Sequence, residues 1–186
     1  MDRFLSRRER RLWLWAAASV LAIWATLPLS GILVELVSQR RMLDQTFFNL
    51  FVVLVAAILW SGLERRPGRR ELWVYAAVIG AYGMLFLRTG LEERSHLFEY
   101  GLVGVFIYQA LLERRRAGGS VRVPAVLAIL ITSLSGALDE GIQWFLPNRV
   151  FDPIDLGFNA FAALLSVTAS VAVGWARRFP DRLVGE

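Results

Sequence analysis

Asp139 to Asn159 reads D-E-G-I-Q-W-F-L-P-N-R-V-F-D-P-I-D-L-G-F-N, a polar island in an otherwise apolar chain. Between Leu138 and Leu164 it gathers four acids, one Arg, one Gln and two Asn. An ionisable residue within a membrane segment costs about 2.5–3.5 kcal/mol on insertion scales, so a cluster of them marks a functional site by default. Pro147 stops one helix, and Asp152 followed by Pro153 has the form of an N-cap and first turn for the next. Asp139 and Gln143 are four residues apart, as are Asp155 and Asn159, so each pair shares a helix face. Two polar faces therefore meet across a short turn.

The chain around this island is that of a membrane protein. Its 186 residues are 56% apolar with a mean hydropathy of +0.48, which a soluble domain of this size rarely reaches. Uncharged or nearly uncharged runs occupy Leu12–Val34, Gln45–Leu63, Leu72–Leu87, His96–Leu112 (admitting Glu99), Val123–Leu146 and Leu156–Ala176. They predict an all-α polytopic membrane protein, a bundle of about six transmembrane helices. The first run has 23 residues, longer than the apolar core of a signal peptide, and predicts a retained helix that Pro28 bends or ends. Residues 1–91 then hold spans one to three, 92–178 a core of spans four to six with the polar site, and 179–186 a tail.

All 21 basic residues are Arg, and there is no Cys, which excludes disulfides, thiolate metal sites and thiol nucleophiles. Sixteen Arg fall on the N-terminus, the loops around Gly68 and Arg114–Arg122, and the C-terminus; five fall on the alternate loops. The positive-inside rule then predicts a multi-pass protein with both termini cytoplasmic and the polar island at the outer face. The net charge of +5 is dispersed among short loops rather than gathered on one surface, so the expected partner is the lipid bilayer and not nucleic acid.

Span five carries Thr132, Ser135, Gly136, Asp139 and Gln143 on one face, and span six carries Asp155, Asn159, Ala162, Ala163, Ser166 and Ser170. Span four offers His96, Tyr100 and Gly104, with Glu99 beside the tyrosine. Close packing of membrane helices accounts for Thr132, Ser166 and Ser170. It does not account for Asp139 next to Glu140, because adjacent carboxylates near lipid repel unless one is protonated or a cation is near. Capping alone accounts equally well for Asp152 and Asp155. Arg149 suits an interfacial anchor, a partner for Glu140 or Asp155, or a bidentate clamp on phosphate. His96, the only histidine, suits an interfacial residue or a proton partner of the acids. No nucleophile or P-loop motif is present, and one His without Cys serves zinc poorly. No cofactor is expected, although oxygen ligands of this kind can take Mg²⁺, Mn²⁺ or Ca²⁺.

At these residues the sequence resembles the VanZ-like family of bacterial membrane proteins, named after a teicoplanin-resistance accessory protein. That pattern is a His with an aromatic four residues on, D-E-x-x-Q-x-F-x-P-x-R, an Asp, and D-x-x-x-N before a small residue. Here it falls on His96 and Tyr100, on Asp139, Glu140, Gln143, Phe145, Pro147 and Arg149, and on Asp152, Asp155 and Asn159. The departures are Asn148 and Ala162 where Gly is common, and Glu92-Glu93 where D-K often precedes the His. The resemblance implies the bacterial cytoplasmic (inner) membrane, a cell-envelope setting and a link to glycopeptide resistance. It implies no agreed reaction.

Three readings of the island follow. In the first, a factor works on a lipid or lipid-linked precursor at the outer leaflet, with His96, Asp139 and Glu140 as acid/base groups. Glu99, Tyr100, Gln143, Arg149, Asp155 and Asn159 then bind the anionic substrate. In the second, the same carboxylates carry protons or cations while an amphiphile is bound or moved. In the third, the polar network only locks spans four, five and six together.

Overall fold

The computed structural model describes residues 4–29, 49, 52–58, 68–89, 91–146 and 151–178, and every regular element among them is helical. They form α1 (Arg7–Thr26), α2 (Arg69–Arg88), α3 (Leu91–Arg116), α4 (Pro124–Gln143) and α5 (Pro153–Arg178). Residues 52–58 are also helical; the rest of span two, Arg149 and the tail from 179 lie outside the described residues.

Local chemistry fixes most helix ends. Ser6 and Glu9 begin α1 as a capping pair: Ser6 Oγ accepts from the Glu9 amide at 3.0 Å, and Glu9 Oε2 accepts from the Leu5 amide at 2.8 Å. Pro28 sits in a single 3₁₀ turn, Leu27–Leu29, at the far end of α1. Gly118, at φ +89°, closes α3, with Gly118 N–H donating to Arg115 O and Gly119 N–H to Arg114 O, the paired bonds of a Schellman turn. Asp152 caps α5 as the D-P pair predicts, its Oδ1 accepting from the Ile154 amide at 2.7 Å. One boundary differs from expectation. The fifth span was predicted through Leu146, but α4 stops at Gln143, and Trp144–Leu146 tighten into a turn in which Phe145 and Leu146 bond three residues back. Pro147 disfavours helical backbone at the residue before it, which accounts for the early stop.

By length and composition α2, α4 and α5 can cross a membrane, with 20, 20 and 26 residues. The other two helices are as long, but α1 opens on Arg7, Arg8, Glu9, Arg10 and Arg11, and α3 ends in Glu113, Arg114, Arg115 and Arg116. Outward faces are apolar: Val126, Leu130, Leu134 and Leu138 make an exposed row along α4. Inward, the same helix buries Thr132, Gly136, Asp139, Glu140 and Gln143. Apolar outside and polar inside is the arrangement hydrocarbon favours, and in water such a row invites association.

α3 is the central helix, packed against α1, α4 and α5, while α5 also contacts α2. α3 and α5 run parallel, both beginning near His96, and α4 runs antiparallel to them. At the opposite end two buried acids hold the helices together. Glu9 of α1 takes Arg114 of α3 at 3.0 Å, supported by Ser6 Oγ donating to Glu113 at 3.1 Å. Glu71 of α2 lies 3.8 Å from Arg177 of α5, and Tyr75 links them, donating to Glu71 at 3.3 Å and accepting from Arg177 at 3.0 Å. Of the described arginines, only Arg88 and Arg94 lie at the His96 end.

Candidate functional site

α3 delivers His96 and Tyr100 to the interior, one helical turn apart, with rings stacked at 6.4 Å and 13°. α4 delivers Asp139 and Glu140. His96, Asp139 and Glu140 are 6%, 1% and 0% exposed, and each offers a ligand-capable atom to one point, all within 4.8 Å of one another. α5 closes the corner from the third side with Asp155 and Asn159. His96 Nε2 lies 3.4 Å from Asp155 Oδ2, while His96 Nδ1 has no hydrogen-bond partner among the described residues.

Glu140 is held on both oxygens. Gln143 Nε2 donates to Oε1 at 2.9 Å, and the Asp152 backbone N–H donates to Oε2 at 3.3 Å. The second bond ties the end of α4 to the cap of α5, so the chain turn between them is built around this carboxylate. Asp139, one residue away, is buried with Tyr100, whose hydroxyl has no hydrogen-bond partner among the described residues. Asn159 sits a turn deeper, its Nδ2 donating to Gly136 O at 3.4 Å. A Cβ on Gly136 would stand 2.6 Å from Asn159 Cβ, so only glycine lets α4 and α5 approach here.

The corner thus unites His96, Tyr100, Asp139, Glu140, Gln143, Asp155 and Asn159, all proposed from the sequence. Glu99 is half-buried beside Tyr100 and is not in the His96–Asp139–Glu140 group. Arg149 falls outside the described residues. Asp155 retains 20% side-chain exposure against 8% for His96, so the corner opens through Asp155. A cavity of about 270 Å³ lies elsewhere, between α1, residues 56–57 and α3, lined by Arg8, Leu12, Val105, Phe106 and Gln109.

Two buried polar groups escaped the sequence reading. Glu9 and Glu71 were not singled out there, yet both are buried at ion pairs. The S-x-x-E start of α1 and the four-residue spacing of Glu71 and Tyr75 are the signals that mark them.

The corner can do three things chemically. It can exchange a proton between His96 and two carboxylates, coordinate a cation with one nitrogen and several oxygens, or hold a polar head group arriving through Asp155. Compared with protein-family models, curated proteins and solved structures, the chain has no match in any of the three.

Proposed function

We infer that this chain is a six-span protein of the bacterial cytoplasmic membrane, VanZ-like, with both termini in the cytoplasm. Its acidic corner then works at the outer leaflet on a lipid or lipid-linked envelope precursor. Asp139 and Glu140 are the acid/base groups, His96 is their proton partner, and Gln143, Asp155, Asn159 and Arg149 bind the anionic head group. A role in glycopeptide resistance, suggested by the resemblance, belongs to the same reading. The observation that carries it is the convergence of one imidazole and two carboxylates within 4.8 Å in a buried corner of a membrane-type bundle. Burying such groups is costly, and a purely structural lock is made as well by neutral amides. Exposed Trp144 and Phe145 at the end of α4 add the aromatic surface common at a membrane–water interface.

Lipid analysis of a deletion strain tests the reading. Loss of the protein should change the level of an anionic or lipid-linked envelope species, restored by the wild type and not by Asp139→Asn or Glu140→Gln made to equal amounts. Full restoration by both variants would remove the corner from the function.

A second reading rests on the same donor set. The adjacent carboxylates with His96 also suit a divalent cation, which would offset their repulsion. Mn²⁺ titration of purified protein, followed by electron paramagnetic resonance, should show a bound ion that Asp139→Asn with Glu140→Gln abolishes. An unaltered free-ion spectrum with wild type excludes it.

A further inference from the structure

Asn159, Ser166, Ser170 and Arg177 lie on one line along α5, each within about 20° of Asn159's direction at 3.6 residues per turn. Asn159, Ser166 and Ser170 are fully or almost fully buried, and Arg177 keeps 15% side-chain exposure. The line spans about 27 Å, close to the roughly 30 Å of a bilayer's hydrocarbon core. It joins the acidic corner at one end to the Glu71–Tyr75–Arg177 cluster at the other.

Neighbouring helices place further hydroxyls in its longer gaps. Gly104 of α3 leaves room where a Cβ would meet Ser166 Oγ at 2.7 Å and Thr132 Oγ1 at 3.7 Å, so Thr132 and Ser166 converge over that glycine. The Tyr75–Arg177 bond sets the register of antiparallel α2 and α5. Seven residues onward along α2 and seven back along α5, Tyr82 and Ser170 stand at the same height.

Three of these hydroxyls, on Thr132, Ser170 and Tyr82, do not behave as packing groups. A packing Ser or Thr in a membrane helix bonds back to its own helix, as Ser135 does to Ile131 O at 2.9 Å and Ser166 to Ala163 O at 3.2 Å. Thr132 Oγ1, Ser170 Oγ, Tyr82 OH and Asn159 Oδ1 are buried without a hydrogen-bond partner among the described residues. Two of these atoms lie on the α5 line and two on the helices beside it; such orphaned polar atoms are costly in an apolar interior, and water is the partner they take.

We propose that this line is a hydrated proton path across the bundle, linking the corner at Asn159 to Glu71 at the arginine-rich end. Each hydroxyl or water accepts a proton on one side and releases one on the other, so it ends each passage chemically unchanged. Glu71 takes up or releases the proton at the far end. The arginine is a fixed charge that does not titrate. The path depends on the hydroxyls and not on what the corner binds, so it stands or falls apart from the lipid and cation readings.

Reconstitution into phosphatidylcholine–phosphatidylglycerol vesicles with a trapped pH-sensitive dye, potassium and valinomycin measures it. Wild type should dissipate a pH gradient well above protein-free vesicles. Thr132→Val and Ser170→Val should each slow this about tenfold, the rate equivalent of one lost hydrogen bond in the barrier. Ser170→Thr, with the shape of the valine variant and the hydroxyl retained, should keep the flux. If Ser170→Val does not fold, near-isosteric Thr132→Val carries the test. Flux at the protein-free level with wild type, or undiminished in folded valine variants, overturns the proposal.

Discussion

Asn159 Nδ2 donates to the Gly136 carbonyl at 3.4 Å, across a helix crossing so close that a glycine Cβ would stand 2.6 Å from the asparagine's own. That contact sets the height of α4 against α5. Asp139 lies almost one turn above Gly136 and Asp155 one turn above Asn159, so the same contact decides which carboxylates meet His96.

Gly136→Ala should therefore cost about 1–3 kcal/mol by overpacking. Gly141→Ala, where a Cβ meets nothing within 4 Å, should be neutral or gain up to about 1 kcal/mol from helix propensity. Thermal unfolding of the two variants in the same detergent compares them, and equal melting temperatures would remove the close approach as a constraint.

Among the described residues, Gln143 is the side chain that donates to Glu140, at 2.9 Å. Gln143→Leu takes that donor from a buried carboxylate and should destabilise by about 1–3 kcal/mol. Glu140→Gln in the Gln143→Leu background should recover part of the loss. Unfolding midpoints of the single and double variants measure the coupling, and additive losses would mean that the two residues do not act together.

Arg114→Ala should loosen α1. Glu9 is fully buried, and without the guanidinium its described bond is the Leu5 amide, a loss of about 1–3 kcal/mol given that Arg114 is itself 38% exposed. The expected signature is faster proteolysis around Ser6 in Arg114→Ala than in wild type. Unchanged cleavage rates would show that apolar packing alone seats α1.

Reporter fusions after Gly68 and after Arg178 should both read cytoplasmic, following the arginine asymmetry. A periplasmic signal at either site would turn the acidic corner to the inner face and remove the outer-leaflet substrate from the proposal.

The residues of α4 and α5 were legible because helical periodicity alone assigns their faces. Asp139 with Gln143 and Asp155 with Asn159 each fall one turn apart, and the D-P pair locates the start of α5 to the residue. Where His96 would sit opposite them was not legible from periodicity, since that depends on α3 packing as the central helix. The expectation that they meet rested on topology, which puts His96 and the polar island at one face on adjacent spans. Glu9 and Glu71 drew no notice in the sequence because a charged residue flanking an apolar run looks solvated until its partner is known, and those partners are far along the chain. Thr132 and Ser170 fit close packing by sequence, and composition does not tell a hydroxyl bonded to its own helix from one without a partner among the described residues.

The Glu9–Arg114 clamp also sets a clock. The two residues are 105 apart, and at about 5–20 residues per second of synthesis Glu9 waits roughly 5–20 s for its guanidinium. During that interval a bare carboxylate cannot settle among apolar neighbours without a large penalty, so α1 must rest with Glu9 in polar surroundings. Its final seat forms only once the far end of α3 has been made. The first of these helices to be made is thus among the later ones to take its place, and an Arg114 variant should leave α1 stranded in that waiting position.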